Sequence, residues 1–238
     1  MDIQIRKMTP ALVEDYFKFF DEIAFADHPE WGCGCYCCFY HAPSAKEWEA
    51  RTGAQNKAQA REMILADQLT GLLAYVDGLP VAWCHYAQKD RLPGIAVFYP
   101  EFISKSGPEF LSENDANNEL GEPQTTAASA DTTAPSSGDA KTGKSAASGS
   151  DTSSGSSIAA IVCFTVAQGY RQQGIAGQMI DFACHELAEA GMAIVEAYPM
   201  TASGSDEHNY HGPLSMYLSH GFTVYRELEG NTIVRKVL

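Results

Sequence analysis

The spacing of apolar positions along the chain changes between that of strands and that of helices. Residues 158–166 form one short run rich in β-branched and aromatic side chains, which predicts a buried strand. Beyond it, apolar residues recur every three or four positions, as on one face of a helix: Ala176, Met179, Ile180, Ala183 and Leu187. A strand followed by a helix is therefore expected here.

Similar patterns predict the other elements. Asp77-Gly78 is the strongest short turn signal, and it predicts a hairpin of strands 71–76 and 80–86. Strands are also expected at 3–8, 193–198 and 222–228, and helices at 10–26, 46–69 and 212–221, the last with Pro213 in its first turn and Gly221 as its cap. This order of elements predicts an α/β sandwich around a mixed sheet.

One segment interrupts this order. Residues 121–157 contain no aromatic residue and no aliphatic residue larger than alanine. Such a segment buries too little apolar surface to offset the entropy of ordering its backbone, roughly 1–2 kcal/mol per residue. We expect a single domain over 1–238, interrupted by a disordered Ser/Thr/Ala/Gly-rich insertion at about 105–157.

Charge and composition restrict the classes of partner. The 238 residues carry a formal net charge of -14, which disfavours nucleic acid and anionic membranes as partners. No apolar run approaches the roughly 20 residues of a membrane span, and the first residues lack the apolar core of a signal peptide. We expect a cytoplasmic protein.

The turn between the strand at 158–166 and the next helix has the composition of an anion site. Gly174 opens the helix, whose first-turn amides lack partners within the helix and can bind an anion. Arg171 adds a positive charge at the same position. The alternative is an ordinary strand-to-helix turn with an exposed arginine. Neither the dinucleotide-binding spacing of glycines nor a P-loop is present.

The sequence Arg171-Gln172-Gln173-Gly174-Ile175-Ala176 resembles the Arg/Gln-x-x-Gly-x-Gly/Ala signature of the GNAT superfamily of N-acetyltransferases. A second block, Gly212 to Phe222, resembles the helix that carries a tyrosine shortly before Gly-Phe in many of these domains, with Tyr217 in the tyrosine's place. The resemblance implies a three-layer sandwich with a central mixed, mostly antiparallel sheet, and acetyl-CoA as co-substrate.

The resemblance also implies a reaction and its residues. An amine attacks the thioester directly in a ternary complex, with Tyr217 as the acid for the leaving thiolate and Glu196 as the base, His85 being the second choice. A backbone N–H near Val166 would stabilise the oxyanion. The acceptor is a small-molecule or peptide amine, for which the acidic chain favours a cation. A homodimer is left open. The cofactor-binding residues would be Phe164, Val166, Arg171, Gln172, Gln173, Gly174, Ile175 and Ala176.

Four of the seven cysteines, Cys33, Cys35, Cys37 and Cys38, lie within a few residues of one another. Their spacing lacks the two separated pairs of most structural zinc sites, so we favour apolar thiols that line the core or the acceptor pocket and expect no metal. Redox-sensitive thiols and a metal site remain alternatives. A Trp, a Cys-x-Cys and aromatics after the first helix also resemble one uncharacterised branch of the superfamily, which has Glu-Gly-Tyr-Pro where this chain has Glu-Ala-Tyr-Pro at 196–199.

Two other functions remain open at this stage. One is a catalytically silent domain that binds coenzyme A as a sensor. The other is a thiol or metal module built on Cys33, Cys35, Cys37 and Cys38.

Overall fold

A computed structural model of the chain describes residues 1–28, 34–103, 157–200 and 210–238. These residues belong to one compact unit. It contains seven strands: β1 (Ile3–Lys7), β2 (Gly71–Val76), β3 (Leu79–Gln88), β4 (Ile158–Val166), β5 (Ile194–Ala197), β6 (Thr223–Glu227) and β7 (Thr232–Val237). Every predicted strand is present, and β7 was missed.

The described α-helices are α1 (Val13–Lys18), α2 (Ala45–Glu49), α3 (Gly53–Leu65), α4 (Pro93–Phe98), α5 (Ile175–Glu189) and α6 (Leu214–Ser219). Two helices differ from their predictions. The helix expected at 10–26 is a 3-10 turn, then α1, then a π-helical turn at Phe19–Ile23. The helix expected at 46–69 is broken, because Thr52 and Gln55 form a capping box that begins α3. α4 was not predicted.

The strands form one sheet in the order β1-β2-β3-β4-β5-β7-β6. Only β4 and β5 are parallel, and all other neighbours are antiparallel. Alternate residues of β2 enter different cores: Leu72 and Ala74 pack with α5, whereas Leu73 and Tyr75 pack with residues of α1 and α3. The α/β fold with a mixed, mostly antiparallel sheet between helices is therefore confirmed.

The parallel pair of strands separates partway along its length. Pairing between β4 and β5 ends at Ile161 and Ala197, although β4 continues to Val166. Beyond that point the amide of Phe164 donates a hydrogen bond of 2.6 Å to the carbonyl of Tyr210, which lies outside the sheet. The gap between the two strands opens the sheet at its centre.

The insertion expected at about 105–157 lies outside the described residues except for Ser157. The carbonyl of Ser157 accepts hydrogen bonds from the amides of Ala193 and Ile194, at 2.9 and 3.3 Å. Ser157 therefore directly precedes β4 and is hydrogen-bonded to the residues at the start of β5. In the part of the chain that the structure describes, no helix has the length and apolar character needed to cross a membrane.

Candidate active site

A cavity of about 820 Å³ lies beside the gap between β4 and β5. One end is formed by the end of β4 and the start of α5, and the other by β3 and the segment after α1. Its walls are built from four regions of the chain, and the lining residues at the β4–α5 end are Phe164, Thr165, Val166, Tyr170, Arg171, Gln172, Gly174, Ile175, Ala176 and Gly177. Seven of the eight predicted cofactor-binding residues are thus brought together.

The backbone at this end has two left-handed residues before the helix. Gln172 has a φ of 60° and Gly174, the N-cap of α5, a φ of 78°. This conformation turns the chain so that the first turn of α5 lines the cavity. Gly177 allows close packing there, because an added Cβ would lie 2.5 Å from Nε2 of His220.

Arg171 is held in place from two sides. Its Nε donates a hydrogen bond of 3.0 Å to the carbonyl of Val166, and its Nη1 lies 3.1 Å from Oδ2 of Asp27. The eighth predicted residue, Gln173, does not line the cavity. Its side-chain amide instead donates to the carbonyl of Gly169 at 2.8 Å.

The opposite end of the cavity is lined by thiols and aromatic rings. Cys35 and Cys37 reach it from the segment after α1, and Cys163 reaches it from β4. Cys33 lies outside the described residues. His85 of β3 also lines this end, where β3 pairs His85 with Cys163. Outside the segment from β4 to α5, the aromatic residues that line the cavity are Phe20, Phe25, Phe39, Tyr40 and Tyr210.

A strained turn presents Cys37 to the cavity. Tyr36 and Cys37 have positive φ values of 42° and 55°, and the amide of Cys38 donates to the carbonyl of Cys35 at 2.9 Å. Left-handed backbone costs a residue with a Cβ on the order of 1 kcal/mol. Neighbouring side chains hold the turn: Tyr16 donates to the carbonyl of Tyr36, and the indole N–H of Trp83 donates to Sγ of Cys37 at 3.1 Å.

The buried thiols are poor nucleophiles. Hydrogen bonds to Cys163 and Cys35, together with burial, raise the pKa of Cys37 well above its usual value. Burial raises the pKa of Cys38 to about 12. Both therefore stay as neutral thiols at neutral pH, in the manner of small apolar side chains. Among the described residues, no group of three or more His, Cys, Asp or Glu has the arrangement of a metal site.

His85 is a buried neutral histidine with one unpaired ring nitrogen. Its Nε2 lies 3.3 Å from Nε2 of His41, while its Nδ1 has no hydrogen-bond partner. Burial and the neighbouring His41 lower the pKa of His85 well below its usual value. Burial lowers the pKa of His41 to about 4. The pair is thus uncharged at neutral pH. The position of His85 on a strand next to Cys84 was the sequence signal for it.

Glu196 of β5 does not line the cavity. It is fully buried, and each of its oxygens is engaged. Oε1 contacts Nζ of Lys89 and accepts a hydrogen bond of 2.6 Å from Tyr198, while Oε2 lies 2.8 and 2.7 Å from Nε and Nη2 of Arg235. Burial alone would raise the pKa of Glu196, but Lys89, Tyr198 and Arg235 together lower it.

Tyr217 of α6 lies behind the lining of the cavity. Its ring is fully buried, 6.4 Å from the ring of Phe164, and its hydroxyl donates a hydrogen bond of 2.7 Å to the carbonyl of His211. An added Cβ on the lining residue Gly212 would lie 3.6 Å from the ring of Tyr217. Burial raises the pKa of Tyr217 well above its usual value, so the phenol stays protonated.

Comparison of the whole chain with known proteins gives structural matches only. No protein-family model matches the sequence, and no curated protein matches it either. The GNAT domain of PAT from S. lividans is similar in structure with a TM-score of 0.50 at 13% identity, over 99% of this chain and 90% of that domain.

Two further solved structures are similar at slightly lower scores. A GNAT acetyltransferase from Listeria monocytogenes matches with a TM-score of 0.49 at 11% identity, over 99% of this chain and 95% of its own. PaiA N-acetyltransferase from Thermoplasma acidophilum, in complex with coenzyme A, matches with a TM-score of 0.48 at 14% identity over 100% of both chains.

These observations define the class of the fold. The sheet order, the single parallel pair of strands that separates partway along its length and the helix capped by Gly174 form the fold of the GNAT superfamily. At 13% identity the match concerns the fold, and the reaction has to be argued from the site.

Proposed function

We propose that the protein transfers an acetyl group from acetyl-CoA to an amine, by direct attack of the amine in a ternary complex. The observation that carries this proposal is the continuity of the cavity. One space contains both the turn before α5, with its unpaired first-turn amides, and the end lined by His85. A donor held at the first end would present its thioester to an acceptor at the second.

The phosphates of the donor belong at the first turn of α5. There the amides of 175–177 point outward at the positive end of the helix dipole, and Arg171 adds a fixed charge. The pantetheine arm would then follow β4 past Val166 and Phe164, where the sheet is open. An amide near Val166 is the proposed donor to the oxyanion.

His85 is a better base than Glu196 for the attacking amine. It lines the cavity, is neutral at neutral pH and has a free ring nitrogen, Nδ1. The hydrogen bond between His85 and His41 can run in either direction, depending on which ring nitrogen of His85 carries the proton. For His85 to act as a base through Nδ1, its Nε2 must carry the proton and donate the hydrogen bond to Nε2 of His41. Glu196, in contrast, already neutralises Lys89 and Arg235 away from the cavity.

Tyr217 remains the proposed acid for the leaving thiolate. The raised pKa keeps the phenol protonated but also makes it a weaker acid. Proton transfer therefore requires the hydroxyl to exchange the carbonyl of His211 for the sulfur of the leaving thiolate. The ring of Tyr217 does not itself line the cavity, but it lies next to two residues that do, Gly212 and Phe164.

The proposal is tested at Gly174. Gly174→Asp places a negative charge at the proposed phosphate site, so the affinity for acetyl-CoA, measured by calorimetry, should fall about tenfold or more. Gly174→Ala adds only backbone strain, because no atom lies within 4 Å of its Cβ. Gly191→Asp is the matched control, since Gly191 has the same left-handed φ, of 79°, and open space beyond the end of α5.

Unchanged affinity in Gly174→Asp, or an equal loss in Gly191→Asp, would show that the phosphates bind elsewhere. Turnover is best followed by mass spectrometry of the acetylated amine, because the free cysteines of the protein would react with a thiol reagent. If acetyl-CoA binds and no amine is acetylated, the result would favour a coenzyme A sensor over an enzyme.

A further inference from the structure

The cavity end that would receive the acceptor is lined by rings and neutral groups. Five aromatic residues, three thiols and His85 line it, and none of the described lining residues is Asp, Glu or Lys. From this composition we infer that the acceptor is a primary amine carried on an aromatic ring, with a short linker between them, rather than a polyamine or another multiply charged cation. This inference rests on the proposed acetyl transfer.

The polar atoms of the two tyrosines are already used. The hydroxyl of Tyr40 bonds to Nε2 of His211 at 2.9 Å, and the hydroxyl of Tyr210 bonds to that of Tyr99 at 2.6 Å. Both tyrosines thus line the cavity with hydroxyls that already have a partner within the protein. Such a surface binds an aromatic ring through apolar burial and edge-to-face contacts.

Charge argues against an acceptor with a second positive charge at this end, despite the net charge of -14 of the whole chain. The carboxylate of Glu196 is enclosed by Lys89 and Arg235, and Asp27 is paired with Arg171 at the cofactor end. His41 and His85 are neutral and cannot balance a second positive charge. A buried cation without a partner is strongly unfavourable. The charge of the residues that line the cavity thus decides which acceptor binds, rather than the net charge of the whole chain.

Among the described residues at this end, one buried polar atom has no hydrogen-bond partner and can bind the amine itself. Nδ1 of His85 is fully buried, has no hydrogen-bond partner and belongs to a residue that lines the cavity. It can accept one hydrogen bond from an amine, while the ring of the acceptor lies against Phe25 and its neighbour Phe20, whose centroids are 6.5 Å apart. An arylalkylamine fits this arrangement, because its amine can bond to Nδ1 of His85 while its ring packs against the two phenylalanines.

The test compares three amines with the full-length protein and acetyl-CoA. They are 2-phenylethylamine, ethylamine, which lacks the ring, and 1,3-diaminopropane, which replaces the ring by a second charge. Burial of a phenyl group should raise kcat/KM for 2-phenylethylamine by about 10- to 100-fold over ethylamine. The diamine should be the poorest substrate. A diamine that reacts faster than 2-phenylethylamine overturns the inference and leaves acetyl transfer standing.

Two phenylalanine variants test the location of the ring. Phe25 and Phe182 are both half-buried, but only Phe25 lines the cavity. Phe25→Ala should raise the KM for 2-phenylethylamine about tenfold, and clearly more than it raises the KM for ethylamine. Phe182→Ala, on α5, should change neither KM. An equal rise in KM for both amines in Phe25→Ala would contradict the placement of the ring.

A binding measurement separates this inference from the proposed reaction. If acetyl-CoA binds but no amine is acetylated, acetyl transfer fails, and the preference for the ring is then measured by calorimetry on the protein saturated with coenzyme A. Tighter binding of 2-phenylethylamine than of 1,3-diaminopropane supports the aromatic site without any turnover. Equal or weaker binding of 2-phenylethylamine overturns it.

Discussion

At the scale of single residues, the chemistry of the cavity depends on how burial sets the protonation of His85. Removal from water disfavours the charged imidazolium, and His41 adds repulsion, so the pKa of His85 lies well below its usual value. The free base is therefore present at neutral pH without a neighbouring carboxylate. A low pKa weakens its basicity, and proximity to a bound amine has to compensate for that.

Replacing His85 by glutamine tests its role as a base. Glutamine keeps a polar side chain of similar length but cannot take a proton, so kcat should fall about 10²- to 10⁴-fold with the affinity for acetyl-CoA unchanged. The acidic limb of kcat/KM in the parent protein should lie below pH 6.5, because the pKa is lowered. A kcat within a few-fold of the parent, with the same acidic limb, would exclude His85.

Tyr217→Phe separates the catalytic from the structural role of that hydroxyl. Its loss leaves the buried carbonyl of His211 without this donor, which should lower the free energy of unfolding by about 1–3 kcal/mol. If Tyr217 is also the acid, single-turnover acetyl transfer should slow about 10²-fold or more while acetyl-CoA still binds. A stability loss with an unchanged chemical rate would assign the hydroxyl to structure alone.

At the scale of elements, the ion pairs of Glu196 join strands at the centre of the sheet. Glu196 lies on β5, Arg235 is its register partner on β7, and Lys89 follows directly after β3. All three side chains are mostly buried, with exposures of 0%, 12% and 10% in that order. A carboxylate in this position is required to balance the two cations.

Glu196→Gln should therefore affect folding before chemistry. The amide removes the charge and leaves two buried cations without a partner, which typically costs about 3–5 kcal/mol. Denaturant unfolding should show this loss, and kcat under conditions where the variant is folded should be near that of the parent. A stable variant with strongly reduced kcat would restore Glu196 as the base.

At the scale of the whole molecule, three neutral buried histidines make stability depend on pH. Burial lowers the pKa of His41 to about 4 and that of His211 to about 3, and His85 is lowered as well. In the unfolded chain each would titrate near 6.5. Below that value the unfolded state binds more protons than the folded state, so acid favours unfolding.

The free energy of unfolding should thus be constant above about pH 7 and fall between pH 6.5 and 5. The slope is at most about 1.4 kcal/mol per pH unit for each histidine, or about 4 for the three together. His41→Gln should reduce the slope, whereas His185→Gln, at an exposed position, should leave it unchanged. A flat profile over this range would mean that these histidines are protonated in the folded protein.

The sequence alone determined the elements whose signals are local. The strand at 158–166, the hairpin around Asp77-Gly78 and the helix after Gly174 follow from periodicity and turn residues, and the resemblance at 171–176 pointed to most of the cofactor end. β7 was missed, although residues 232–237 are rich in β-branched side chains, because the last predicted strand ended at 228 and no strand was expected after it. Local patterns set local backbone geometry.

Only the tertiary structure decided which side chains meet. His41 and His85 are 44 positions apart, Glu196 and Lys89 are 107 apart, and the thiols of Cys37 and Cys163 come from different elements. No periodicity in the sequence encodes such pairs, since they arise from sheet order and packing. Glu196 was predicted as the base from its place on the fifth strand, and the fold surrounds its carboxylate with Lys89 and Arg235. The function of an ionisable group depends on neighbours that only the fold brings to it.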